Sequence, residues 1–281
     1  MPELPEIEAI RRTLARSLAG CRFVSVRTGP HDMRARGRSR GTPRRGGWAS
    51  AEELLVGGAV RKVVRHGKQL AIVVDDGRAL VVQLGMSGQL LVADAARPDH
   101  RHVEWSLRSA GGPRSLVLRD PRRFGGVVPH ATEESLLDSW AATLGPDALD
   151  ADRAPLEALR RGTRHVKAAL LDQALVAGIG NIYADEALHA AGISPRRRCN
   201  RLTVDEARSL LASVRSVMRR SITRGGTSLR DHVLPTGRAG DARRLIRAYG
   251  RAGLPCLACG SPMRGAAVAG RATAWCTRCQ R

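Results

Sequence analysis

Apolar residues recur near the start of the chain at Ile7, Ile10, Leu14 and Leu18, the three- and four-residue spacing of one helix face. Pro5 suits the first turn of such a helix, where a missing N–H costs nothing. Glu6 and Glu8 lie near the positive end of its dipole. The pattern predicts a helix over residues 5–17. Between residues 20 and 130 the period changes. Short runs rich in valine and leucine (RFVSVRT, AVRKVVRHG, LAIVVDD, ALVVQLG, QLLVAD and RSLVLRD) are bounded by Gly, Asp or Pro and predict β-strands. Their spacing predicts a sandwich or small barrel. From about Asp150 to Ser221 the helical period returns in APLEALRRGTRHVKAALLDQALV, NIYADEALHAAG and TVDEARSLLASVRSVMRRSI. Residues 224–247, rich in Gly and Arg, predict a loop, and the last thirty residues hold four cysteines. A chain of 281 residues can carry two domains, each with a core of its own.

Charge narrows the partner. Lys and Arg number 47 against 26 Asp and Glu, a formal +21 and a sequence pI near 11.4. So basic a chain meets a polyanion, with nucleic acid the leading reading and anionic membrane its rival. No run of about 18 apolar residues and no basic-then-apolar leader occurs, so a soluble, cytosolic chain is expected. The stretch MRARGRSRGTPRRGG, residues 33–47, carries six arginines and reads as a basic loop that attracts phosphate non-specifically. Aromatics make up 3% of the chain, which argues against a broad base-stacking platform. Only three lysines, Lys62, Lys68 and Lys167, stand against 44 arginines. A lysine that persists against that bias marks a place for a compact ammonium, chance survival being the alternative for each. Lys62 is read as a surface residue.

Cys256, Cys259, Cys276 and Cys279 follow the pattern C-x2-C-x16-C-x2-C. Each pair sits on a tight knuckle able to aim two thiolates at one metal, and two knuckles complete a tetrahedron. One closed four-thiolate zinc, structural rather than catalytic, is expected. Two disulfides are the alternative, set against by the lack of secretory features. Cys21 and Cys199 match no spacing. The segment GRATAW between the knuckles would form a hairpin with Arg271 near its tip, within reach of a phosphate. In VAGIGNIYADEAL, Gly178 and Gly180 permit a turn with positive φ, Asn181 caps the next helix, and the N–H groups there could bind a phosphate. An ordinary corner between helices is the alternative. Pro2 and Glu3 precede the first helix and have no local explanation.

MPELPE at the start, LGMSG at 84–88, DPRRFG at 120–125, GIGNIYADE at 178–186, GGTSLRD at 225–231 and the cysteine hairpin occur in one order. Together they resemble the formamidopyrimidine-DNA glycosylase and endonuclease VIII family of base-excision repair enzymes, from Pro2 to Gln280. Leu4 places the resemblance in the formamidopyrimidine branch, since the other branch usually carries glycine there. The resemblance implies an α+β multidomain fold. An N-terminal β-sandwich with its N-terminal helix would span 1–140. A helix–two-turns–helix domain with a lesion-capping loop would span 141–242, and a zinc finger 243–281. It implies damaged double-stranded DNA as the partner, bound between the domains by a monomer that meets the nucleoid in the cytoplasm.

The same resemblance gives the roles. Removal of Met1 exposes the Pro2 secondary amine. An α-amino group with a pKa near 8 is roughly one-tenth neutral at about pH 7, against about one in 2,500 for an ordinary lysine. Pro2 would attack C1′ and expel the base, with Glu3 as general acid, and β,δ-elimination would follow. Lys68 and Arg271 would assist at the flanking phosphates. Asn181, His102 and Arg164 would contact the DNA backbone, and Lys167 would be structural or phosphate-binding. Met86, Arg122 and Phe124 would fill the hole left by the extruded base, ordinary core packing being the alternative for Met86 and Phe124. The capping segment departs from the family pattern at Arg230 and at Gly240-Asp241-Ala242-Arg243. Oxidised purines are the expected substrates. Oxidised pyrimidines, a non-catalytic damage binder and an RNA- or ribosome-associated zinc protein are the alternatives.

Overall fold

The computed structural model describes residues 2–31, 33, 49–92, 99–151, 153–228 and 232–281. The arginine-rich stretch 34–45 and Arg230 lie outside the described residues. The chain divides into two compact units. The first comprises Met1–Pro2, Glu6–Trp140 and Gly225–Asp241; the second comprises Glu3–Pro5, Ala141–Arg224 and Ala242–Arg281.

The first unit is built from α1 (Leu4–Ser17), most of which belongs to it, and eight strands: β1 (Arg22–Thr28), β2 (Val60–His66), β3 (Gln69–Val74), β4 (Ala79–Gln83), β5 (Gln89–Val92), β6 (Arg101–Ser109), β7 (Gly112–Arg119) and β8 (Gly126–His130). They form two antiparallel four-stranded sheets, ordered β1-β6-β7-β5 and β2-β3-β4-β8. Alternate residues of both sheets meet Ile7, Ile10 and Leu14 of α1, and Leu18 just after it, in one core. Each such side chain contributes roughly 1.5–3 kcal/mol on full burial. Trp105, the largest member, packs edge-on against Phe23 and donates its indole N–H to the Leu54 carbonyl at 2.9 Å. This is the sandwich and N-terminal helix that the sequence predicts. Strands β6 and β8 lie within the predicted β region but outside the runs named above, although RHVEWSLRS alternates clearly. The helix α2 (Glu133–Thr143) falls between the predicted β and helical regions; Thr132 signals its start by taking the Ser135 N–H on its hydroxyl at 3.1 Å.

The second unit holds α3 (Arg153–Arg161), α4 (Val166–Leu170), α5 (Asn181–Ala190), α6 (Val204–Thr223) and the hairpin β9 (Arg264–Val268) and β10 (Arg271–Trp275). The apparently continuous helical run 154–176 is broken after Arg161, where Gly162 and Thr163 leave the helix. α6 opens with a reciprocal cap: the Thr203 hydroxyl accepts from Glu206 N at 3.1 Å and the Glu206 carboxylate accepts from Thr203 N at 2.9 Å. Leu4 joins this unit's core with Val166, Ile179, Leu188, Leu210 and Val214. No helix among the described residues is long and apolar enough to cross a membrane.

Candidate active site and nucleic-acid interface

In the helical unit, Glu3 is buried and its carboxylate sits on the first turn of α5. It accepts from the N–H groups of Gly180 at 2.8 Å, Ile182 at 2.9 Å and Tyr183 at 3.4 Å. These are the donors that an α-helix leaves unpaired, and the positive end of its dipole lies behind them. The anion expected at this helix start is therefore supplied by the chain itself, not by a phosphate. Gly178 has the expected positive φ of 110°, and a β-carbon there would meet the Leu4 side chain at 2.4 Å. Gly180 is needed for a different reason. Its φ is an ordinary −121°, but a β-carbon would fall 2.2–2.6 Å from the Glu3 carboxylate. Asn181 does not cap α5; its amide Nδ2 donates to the Ala272 carbonyl at 3.0 Å, at the start of β10.

The same carbonyl faces Lys167. This lysine is fully buried, and its ammonium reaches Asp185 Oδ1 at 2.6 Å, Thr273 Oγ1 at 2.7 Å and Ala272 O at 3.4 Å. Three protons thus find three acceptors in a space suited to a point charge rather than a planar guanidinium. Burial pushes the lysine down and the Asp185 carboxyl up to about 6, and their mutual attraction opposes both shifts. Lys167→Met strands a buried carboxylate, so unfolding in denaturant is expected to show a loss of roughly 3–5 kcal/mol, which Lys167→Arg does not restore. Arg271, the first residue of β10, stays exposed just beyond this anchor. Glu186, next to Asp185, accepts from the N–H groups of Arg247, Ala248 and Tyr249 at 2.8–2.9 Å and fixes the chain where it enters the finger.

The sulfurs of Cys256, Cys259, Cys276 and Cys279 all lie within 4.8 Å of one another, the Cys259–Cys276 pair at 3.4 Å and the Cys256–Cys279 pair at 4.0 Å. A disulfide needs about 2.05 Å, whereas thiolates about 2.3 Å from one tetrahedral metal stand about 3.8 Å apart. The four cysteines are free thiols, placed for a metal and not for two disulfides.

In the β unit, Lys68 lies half-buried in the turn between β2 and β3. Arg65 supports that turn by donating to the Gly67 carbonyl at 3.0 Å while also reaching Glu8 at 3.2 Å. Burial would raise the Glu8 carboxyl, but hydrogen bonds from Arg11 and Arg12 and the nearby Arg65 charge overcome it and bring it down to about 2. Met86 and Phe124 are exposed at the tips of two neighbouring turns, and the Arg122 guanidinium lies 5.9 Å from the Phe124 ring centre. Neither apolar side chain is in the core. Glu6 is buried and takes the Thr227 N–H at 2.7 Å, and a β-carbon on Gly226 would meet Glu6 Cγ at 3.0 Å. Ser228 closes the base of the same loop, donating to His232 O and accepting from Gly240 N, each at 2.8 Å.

Residues 1–127 match the family model of the formamidopyrimidine-DNA glycosylase N-terminal domain, 144–233 that of its H2TH domain, and 253–281 that of the zinc finger found in this glycosylase and in isoleucyl-tRNA synthetase. Curated formamidopyrimidine-DNA glycosylases are similar along the whole chain. That of Xanthomonas campestris is 40% identical, with 100% of both chains covered. The chain belongs to the formamidopyrimidine-DNA glycosylase family. Another relative of this glycosylase family, from Thermomicrobium roseum, is 39% identical over 100% of this chain and 99% of its own. Among solved structures, the MutM (Fpg) protein of Thermus thermophilus superposes with a TM-score of 0.82 at 35% identity, covering 99% of this chain and 98% of that one. A MutM complex with DNA containing carbocyclic 8-oxo-G gives 0.84 at 30% identity, covering 100% of both chains. The Lactococcus lactis Fpg in complex with abasic-site DNA gives 0.85 at 29% identity, covering 99% of each.

Within this glycosylase framework the structure gathers Glu3, Asn181, Lys167 and the strand of Arg271 around the α5 turn. Arg164, also in the helical unit, is half-exposed and pairs with Asp172 at 2.7 Å. Lys62 is on the surface, as expected, paired with Glu133. His102 is buried, with Nε2 on the Asp120 carbonyl at 2.9 Å and no partner for Nδ1 among the described residues. His100, two residues earlier, carries its imidazole half in solvent, with Nε2 3.4 Å from Asp99 Oδ2. Sequence reasoning missed Asp120, Glu186 and the contact of Glu6, because most of their partners are backbone N–H groups that no residue type advertises.

Proposed function

We propose that this chain is a bifunctional DNA glycosylase and AP lyase of base-excision repair that removes oxidised purines. The observation carrying this reading is the Glu3 carboxylate, fixed by three N–H groups of the α5 turn and one peptide bond from Pro2. With Met1 removed, the Pro2 amine attacks C1′ of the damaged nucleotide. The bond to the base breaks, and the sugar opens to an iminium on the proline nitrogen. Glu3 delivers a proton to the ring oxygen and later relays protons. Loss of a C2′ proton then breaks the C3′–O bond by β-elimination, and the C5′–O bond follows by δ-elimination. Phosphate remains on both sides of a one-nucleotide gap.

Lys68 and Arg271 hold the phosphates flanking the reacting sugar. Asn181, Arg164 and His102 are further backbone contacts. Met86, Arg122 and Phe124 fill the space of the extruded base. The oxidised-purine DNA of the solved MutM complex supports this substrate class. The four cysteines fit zinc by donor chemistry and spacing; the metal would hold the finger together and leave Arg271 to meet the DNA.

Borohydride trapping on duplexes carrying 8-oxoguanine, an oxidised pyrimidine or an abasic site tests the proposal. An adduct on the N-terminal peptide, strongest with 8-oxoguanine and weakened in Pro2→Gly, is expected. An adduct strongest with the oxidised pyrimidine would reassign the substrate, and binding without any adduct would leave a damage-binding protein. Salt gives an independent check. With six or more phosphates neutralised, affinity falls by roughly 10³–10⁵ between about 50 and 200 mM salt. A flat titration would count against a phosphate-dominated site.

A further inference from the structure

We infer that Asp120 is a positioning residue that joins the Met86 turn and the Arg122–Phe124 loop into one body, so that both enter the duplex together; the inference rests on the glycosylase reading above. Asp120 is fully buried and its polar atoms are all engaged. Oδ1 accepts from the Ser87 hydroxyl in the first turn and from Arg122 N in the second at 3.2 Å. Oδ2 accepts from Gly125 N at 2.8 Å. Its carbonyl accepts from His102 Nε2 at 2.9 Å and from Arg123 N at 3.3 Å, and its N–H donates to the His100 carbonyl at 3.1 Å.

The two turns also touch backbone to backbone. A β-carbon on Gly85 would lie 2.5 Å from the Phe124 carbonyl carbon, and one on Gly125 would lie 2.5 Å from the Gln83 carbonyl oxygen. Close approach brings the turns together; the carboxylate fixes their relative register. Only a carboxylate offers acceptors on both oxygens to one hydroxyl and two N–H groups without bringing a donor of its own. Asparagine would set an NH2 against at least one of them. The side chains delivered by this arrangement, Met86 at 41% and Phe124 at 59% exposure, are apolar and have no role in the core.

Filling a void matters most while a base is still being drawn from the stack. Damage to the coupling should therefore slow removal of an intact lesion and spare a sugar that has already lost its base. Single-turnover rates on an 8-oxoguanine duplex and on a preformed abasic duplex separate the two. Asp120→Asn is expected to lower the first by roughly ten- to a hundredfold, the scale of hydrogen bonds to a charged group, and to leave the second nearly unchanged. Ser87→Ala, which deletes a single hydroxyl and is the milder test of folding, shows the same split in smaller measure, and Ser87→Thr restores the rate. Equal losses on both duplexes, or no loss in either variant, would overturn the inference. A 2-aminopurine beside the lesion reports unstacking on binding alone. A wild type that unstacks the duplex but cuts neither substrate would refute the glycosylase reading. The fluorescence would still decide the inference, which fails if Asp120→Asn unstacks as well as wild type.

Discussion

Replacing Glu3 with glutamine is expected to slow base excision by roughly 10²–10⁴-fold, the range that a positioned acid or base contributes, while affinity for a duplex carrying a stable abasic analogue changes little. Glutamine keeps the length and volume of the side chain, so the local turn should survive. What changes is the chemistry at its tip. One oxygen that now receives N–H groups from the start of α5 becomes an NH2, and no proton remains to be given or taken. Rapid-quench kinetics on 8-oxoguanine DNA measure the first quantity and a binding titration the second. If binding fell in step with the rate, Glu3 would be holding the protein together and nothing more. Gly180→Ala provides a second route to the same group, because its β-carbon would intrude within 2.2–2.6 Å of the carboxylate. It should reproduce much of the kinetic loss without touching Glu3 itself.

Removing the metal is expected to abolish DNA binding while leaving the β unit folded. The finger's own core contains little besides Ala248, Met263, Ala274 and two of the cysteines, and β9 faces solvent along four of its five residues. So small a hairpin does not hold itself together, and a structural zinc contributes roughly 10–16 kcal/mol to modules of this kind. Treatment with a strong chelator, or Cys276→Ser, should release one equivalent of zinc and disorder Arg271. Affinity would fall by orders of magnitude, with only a small change in far-UV circular dichroism. Retention of tight binding after complete metal loss would show that β10 is held by its contacts to Lys167, Asn181 and Asp185 without the metal.

Much of this was legible in the chain. The cysteine spacing announced its cluster, because metal geometry is written in short local intervals. The valine-rich runs announced most strands, because a period of two is visible within six residues. The motif order announced the family. What was not legible depends on partners far apart in sequence. Asn181 reads as a helix cap, yet its amide goes to Ala272, and the true occupant of the helix start is Glu3, 177 residues from Gly180. Nothing in the sequence around His102 shows that its ring is buried against the Asp120 carbonyl. Lys167 was marked by its rarity among arginines, but its three acceptors come from α5 and β10. Asp120 lies in DPRRFG beside Arg122 and Phe124, and its role rests on a hydroxyl and N–H groups that the motif does not display.

The grip on Glu3 also has a timetable. Glu3 is made at the start, but the residues whose N–H groups hold its carboxylate, Gly180, Ile182 and Tyr183, follow only after about two-thirds of the chain. At roughly 5–20 residues per second, the nascent terminus waits on the order of ten seconds or more before its seat exists. Until then the Glu3 carboxylate stays in water, and the growing helical unit has no anion to set on the start of α5.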